Sequence, residues 1–216
     1  MVDSKLSALQ KDLLREFFRH EQGFFLTGGA ALAGFLLGHR ATSDLDLFCA
    51  SNRLEDGDRA LRQAAEVLGA TLESLETTTD FRRRLVRRGT ESVLVDLVHE
   101  RVAQSSPEKL SFGAIRIDPP QEILANKLCT LLSRSEVRDL VDVMLLERAG
   151  FAIEQAFPLA QAKDGGLTPA QLAWVLSEIR VGDDARIPGG VSAAQLREFI
   201  DGLRSRMTRL GFPRVP

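Results

Sequence analysis

The chain has 216 residues, enough to bury a sizeable core without disulfide or metal staples. With 44% hydrophobic and 27% charged residues it has the profile of an ordinary globular protein, which excludes collagen-like and wholly disordered structure. Lys and Arg number 28 against 30 Asp and Glu, so at net charge -2 no global basic field advertises nucleic acid or an anionic membrane.

The N-terminal Met1-Val2-Asp3-Ser4-Lys5-Leu6 lacks the charged-then-apolar build of a signal peptide. The longest stretch free of charge, residues 22–38, is broken by Gly23, Gly28, Gly29 and Gly34 and falls short of a membrane span. Cys49 and Cys129, in apolar surroundings and far apart, read as free buried thiols; they point to a reducing compartment, the cytoplasm. His20, His39 and His99 form no Cys/His zinc pattern and no nucleophile–base arrangement.

In chain order, Leu6, Leu9, Leu13, Leu14, Phe17 and Phe18 recur at helical spacing and predict a helix over residues 5–21. Residues 24–26 predict a short strand ending in Thr27-Gly28-Gly29, and residues 30–37 a buried helix. Leu45, Leu47 and Cys49 alternate with Asp44, Asp46 and Phe48, the period of a strand. An amphipathic helix is predicted over 54–68, strands over 71–76, 81–88 and 92–98, with Gly89-Thr90 as the hairpin turn, and a further strand over 114–117. Pro119-Pro120 then punctuates the chain. Helices are predicted beyond it over 121–132, from a Ser133-x-x-Glu136 capping box to Gly150, and over 153–163, 168–179 and 191–210. Trp174 and the C-terminal phenylalanines are assigned to the core. The fold class is therefore α/β (α+β): a mixed sheet with flanking helices over residues 1–118, followed by an all-helical domain over 119–216.

Two glycines between a strand and a helix let backbone amides approach an anion closely, and they also serve as a plain structural turn. Asp44 and Asp46, two apart on a strand, share one face with Cα atoms about 7 Å apart. Paired carboxylates repel, and a divalent cation such as Mg2+ relieves the conflict. Asp96 is a charge inside the apolar run Val93-Leu94-Val95-Asp96-Leu97-Val98. If its strand lies beside that of Asp44 and Asp46, the three carboxylates can converge on one or two metals; otherwise Asp96 caps a strand end. Five arginines, Arg82, Arg83, Arg84, Arg87 and Arg88, fall within residues 81–88. They read either as a phosphate-contacting strip or as a solvated sheet edge. Arg138 and Asp142 are spaced as an i, i+4 pair, so residues 138–142 also read as a solvated helix face.

Gly28-Gly29-Ala30-Ala31-Leu32-Ala33, then Arg40-Ala41-Thr42-Ser43-Asp44-Leu45-Asp46-Leu47-Phe48, resembles the AbiEii/AbiGii-type nucleotidyltransferase toxins, within the DNA polymerase beta-like superfamily. Glu122-Ile123-Leu124-Ala125-Asn126-Lys127-Leu128 is similar to that family's Lys-Leu helix, and Arg138-Asp139-Leu140-Val141-Asp142 to its basic-Asp-x-x-Asp motif. Glu136 stands where an arginine sometimes occurs. The resemblance covers roughly residues 24–147. It implies a nucleotidyltransferase fold and transfer of a nucleoside monophosphate from an NTP to a hydroxyl acceptor, with Asp44, Asp46 and Asp96 as ligands of Mg2+ (or Mn2+). Asp44, Asp46, Asp96, Lys127 and Asp142 are the implied catalytic set. Thr27, Gly28, Gly29, Arg40, Ser43, Lys127, Arg138 and Asp139 are the implied nucleotide contacts, with the helical domain contributing to the cleft. The implied acceptor is RNA, the tRNA 3′ end, and the implied role that of a bacterial toxin with a cognate antitoxin. A small-molecule nucleotidyltransferase and a non-enzymatic nucleotide-binding module are the alternatives.

Overall fold

The computed structural model describes residues 3–102 and 104–212, so Met1 and Val2 of the N-terminal segment lie outside the described residues. The chain divides into two compact units, Met1–Pro119 and Pro120–Pro216. No helix among the described residues is long and apolar enough to cross a membrane.

The first unit contains strands β1 (Phe24–Thr27), β2 (Asp44–Cys49), β3 (Thr71–Thr77), β4 (Phe81–Arg88), β5 (Glu91–His99), β6 (Leu110–Phe112) and β7 (Ile115–Ile117). Its helices are α1 (Ala8–His20), α2 (Gly28–Ala31) and α3 (Leu54–Val67). The strands form one mixed sheet of order β3-β4-β5-β2-β1-β7-β6, parallel at β2–β5 and β1–β7 and antiparallel elsewhere. The alternation read from the sequence sorts the sheet into two faces. Leu45, Leu47 and Cys49 of β2 and Val93, Val95 and Leu97 of β5 are buried on the face that α1 and α3 cover. There Phe17 of α1 meets Phe24 of β1 edge to face at 5.5 Å. Each such side chain contributes about 1.5–3 kcal/mol on burial.

Helix α1 starts at Ala8, later than its apolar period predicts, because Ser7 and Gln10 close a reciprocal capping box. The helix predicted over 30–37 is four α-helical residues followed by a π-helical turn, Leu32–Leu36. The two-residue connection Gly113-Ala114 joins β6 to β7, and β6 is too short to carry a readable period.

The arginines of β4 are neither an edge nor a continuous strip. β4 lies between β3 and β5, and its side chains alternate across the sheet. Arg82 and Arg84 turn to the helix-covered face and are 9% and 4% exposed. Arg84 donates Nε–H to Asp58 of α3 at 2.7 Å, and Arg82 approaches the same carboxylate at 3.2 Å and pairs with Glu55. Arg88 pairs with Asp12 of α1 at 2.9 Å and Arg87 with Glu73 of β3 at 2.8 Å. The run therefore neutralises acidic groups of its own unit.

The second unit holds α4 (Pro120–Ser133), α5 (Val137–Arg148), α6 (Ile153–Lys163), α7 (Pro169–Glu178) and α8 (Ala193–Gly211). α4 packs on α5, α6 and α7, and α8 on α7 and α5. A buried ion pair, Lys163 to Glu122 at 2.6 Å, ties α6 to α4. The capping box predicted at Ser133 does not form: Ser133 is the last residue of α4, Ser135 takes φ +42, and α5 begins at Val137 behind Glu136. Phe157 is buried, but Trp174 is 60% and Phe212 68% exposed, so these two are not core.

Candidate active site

On the sheet face opposite α1 and α3, one register level carries four polar residues across four strands. Arg83 of β4 pairs in register with Asp96 of β5, Asp96 with Asp46 of β2, and Asp46 with Thr27 of β1. Asp44 lies two residues along β2 on the same face, and like Asp46 it is half-buried. The adjacency of the Asp96 strand to the Asp44–Asp46 strand, conditional in the sequence, is present in the fold.

Each member of the row is held differently. Asp44 Oδ1 accepts a hydrogen bond from the Thr42 hydroxyl, and the Thr42 carbonyl in turn accepts from the Gln10 side chain of α1 at 3.0 Å. Gln10, the partner of Ser7 in the capping box of α1, thus also fixes the loop entering β2. Asp46 lies against Gly28, whose φ is +62; a Cβ there would collide with the Asp46 carboxylate. Only glycine satisfies both the backbone and the contact. A Cβ on Gly29 would meet the Arg40 guanidinium at 2.9 Å, so Arg40 reaches back over the Gly-Gly turn. Ser43 is exposed just before β2. The Thr27 hydroxyl is buried without a hydrogen-bond partner among the described residues.

Asp96 is 8% exposed, and both its oxygens are taken by one guanidinium: Arg83 donates Nε–H to Oδ1 at 2.8 Å and Nη2–H to Oδ2 at 2.7 Å. The hydrogen bonds to Asp96 hold the Arg83 guanidinium above its ordinary pKa, and the charges of Glu76 and Asp46 add to the effect. Among the described residues no three His, Cys, Asp or Glu side chains are arranged to hold a metal ion. Asp44, Asp46 and Asp96 share one face of adjacent strands, with Arg83 on both oxygens of Asp96. The paired carboxylates of β2 fit Mg2+, which typically takes one or two protein carboxylates and completes its shell with phosphate oxygens and water. At the same end of β1 the Gly28 backbone packs against the Asp46 carboxylate beside the buried Thr27 hydroxyl.

Sequence reasoning missed two further charged residues of this face. Asp118 follows β7, donates its backbone N–H to Leu26 at 2.9 Å and is fully buried. Lys109 pairs with it at 2.8 Å and lies 4.2 Å from the centroid of the Phe25 ring. The only signal for either was a charged residue beside a short apolar run.

In the helical unit Lys127 of α4 lies between both aspartates of α5, 2.6 Å from Asp139 and 2.8 Å from Asp142. Asp139 and Asp142 are fully buried, and Arg134 adds a 3.0 Å contact to Asp139. Arg138 pairs with Glu136 at 2.6 Å. Residues 139–142 are therefore buried and do not form a solvated helix face, while Arg138 stays half-exposed. The motif is a buried charge cluster with Lys127 at its centre.

A family profile described as "Nucleotidyl transferase AbiEii toxin, Type IV TA system" matches residues 12–211. The chain belongs to this family. The match extends past the 24–147 span of the sequence resemblance to take in α1 and α6–α8. The fold is similar to that of JHP933 from Helicobacter pylori, with TM-score 0.58 at 20% identity over 93% of this chain and 91% of that one. A candidate nucleotidyltransferase of H. pylori gives TM-score 0.59 at 18% identity over 94% and 95% of the two chains. No curated protein matches the chain. The AbiEii fold accounts for both the mixed sheet and the helices that follow it.

Proposed function

We propose that this AbiEii chain transfers a nucleoside monophosphate from an NTP to a hydroxyl acceptor, using Mg2+ (or Mn2+). The observation that carries this reading is the row Asp96–Asp46–Thr27, with Asp44 beside it and Gly28-Gly29 at its end, in a member of a nucleotidyltransferase toxin family. The acceptor oxygen attacks the α-phosphorus, the bond to the β-bridging oxygen breaks, pyrophosphate leaves, and the hydroxyl proton passes to a base. In this scheme Asp44 and Asp46 hold the cation, which supplies Lewis-acid polarisation of the phosphates. Asp96 joins them or takes the acceptor proton. The amides of Gly28 and Gly29, with Thr27, Arg40 and Ser43, contact the triphosphate. Lys127, held between Asp139 and Asp142, is a further phosphate contact in this scheme.

The proposed acceptor is RNA, the tRNA 3′ end, and the proposed role is that of a growth-inhibiting toxin paired with a cognate antitoxin; both rest on the family. The free thiols Cys49 and Cys129, the first buried and the second half-buried, support placement in the reducing cytoplasm. One observation favours a second reading. The β4 arginines are paired within the fold, so they do not argue for an extended anionic acceptor, and a small hydroxyl compound is the alternative. Incubation with each labelled NTP and either tRNA or an aminoglycoside decides between them. Label in tRNA alone is expected; label in the aminoglycoside alone would establish the alternative.

A further inference from the structure

We propose that Arg83 is the resident counter-ion of Asp96 and yields that carboxylate to a divalent cation when metal and nucleotide bind. The inference rests on the nucleotidyltransferase reading above and gives Arg83 a positioning role that the family motifs do not include.

Asp46 and Asp96 are direct neighbours on parallel strands and face the same side of the sheet. Strands in a sheet lie about 4.8 Å apart, so the two carboxylates repel unless a cation intervenes. Arg83, cross-strand from Asp96 on the side away from Asp46, offsets the Asp96 charge with both donors of its fork on both carboxylate oxygens. The fork takes one in-plane lone pair on each Asp96 oxygen and neutralises the carboxylate charge that a metal would draw on. Arg83 and a divalent cation compete for the same ligand.

The geometry also permits the exchange. The Asp96 side chain is 11% exposed, whereas the Arg83 side chain is 42% exposed and is the more accessible partner of the pair. Its guanidinium rests 5.3 Å from the Phe81 ring centroid, and Glu76 of β3 is its register partner on the side away from Asp96. On release it meets either that carboxylate or the incoming triphosphate. Arg82 and Arg84, one residue away on each side, are buried on the opposite face with Asp58.

The test is Mn2+ titration of the full chain without nucleotide, followed by electron paramagnetic resonance, with circular dichroism to verify folding. Arg83→Gln should bind Mn2+ about 3- to 10-fold more tightly than wild type, as expected for loss of a competing ion pair. Arg83→Lys, which keeps the charge but loses the bidentate fork, should shift in the same direction by less. Adding Asp96→Asn to Arg83→Gln should erase the gain. Asp46→Asn separates this proposal from the metal assignment. If Asp46→Asn loses Mn2+ but Arg83→Gln binds as wild type or more weakly, the counter-ion role is overturned and the metal site stands. If neither wild type nor Arg83→Gln binds Mn2+, both fall.

Discussion

Asp58 shows at the scale of one residue why a basic run need not be a binding surface. Three arginines, Arg62, Arg82 and Arg84, converge on its buried carboxylate. Burial pushes the Asp58 carboxyl up, and the hydrogen bond and charge of Arg84, with Arg62 and Arg82, more than reverse this, leaving it below its ordinary value. A depressed folded pKa stabilises the fold above the unfolded value, about 3.9 for aspartate, and that contribution is lost as pH falls through the lower folded value. Asp58→Asn should therefore cost about 3 kcal/mol at neutral pH in urea unfolding. The gap to wild type should hold down to about pH 5 and close in more acidic solution; a gap that widens in acid would contradict the assignment. At Gly28 the positive φ and the contact with Asp46 make Gly28→Ala cost about 1–2 kcal/mol, with loss of nucleotide transfer. Unchanged melting and transfer in that variant would refute this role for Gly28. The Asp44/Asp46 pair was legible because a two-residue period is local. The Arg83–Asp96 pair was not, since it depends on which face and which register level β4 presents to β5.

At the scale of elements, helices with an uninterrupted apolar period were legible and their ends were less so. A Ser-x-x-Gln capping box that the sequence reading did not single out forms at Ser7, and the Ser-x-x-Glu box expected at Ser133 does not form. At Ser133 the hydroxyl donates back to the Thr130 carbonyl at 3.0 Å, and Ser135 donates to Leu131 at 2.5 Å, so both serve the end of α4. Ser7→Ala should destabilise the protein by about 1 kcal/mol and Ser133→Ala by less than about 0.5 kcal/mol in denaturant unfolding. Equal costs would show that the cap assignment is wrong. Lys127→Met deserves the same thermodynamic control. It removes the cation between two buried aspartates, and a cost of about 3 kcal/mol is expected beside any loss of transfer. Burial of Asp139 and Asp142 was not legible, because their spacing suits an exposed face equally well.

For the molecule as a whole, the division at Pro119/Pro120 follows the change from period-2 to helical patterning along the chain. The last helices carried no motif that the sequence alone could place, yet the AbiEii profile spans them to residue 211. Their apolar faces specify packing, and packing residues substitute freely for one another, which hides kinship in a single sequence. The central claim is that the paired carboxylates of β2 make this AbiEii chain a divalent-metal nucleotidyltransferase. It is tested most directly by transfer of labelled NMP to an acceptor by wild type and Asp46→Asn, with and without Mg2+. Wild-type transfer should require the cation, and Asp46→Asn should lose about 100- to 1000-fold in rate while unfolding at the wild-type denaturant concentration. Transfer by Asp46→Asn at the wild-type rate in Mg2+, or undiminished wild-type transfer in a chelator, would contradict the account.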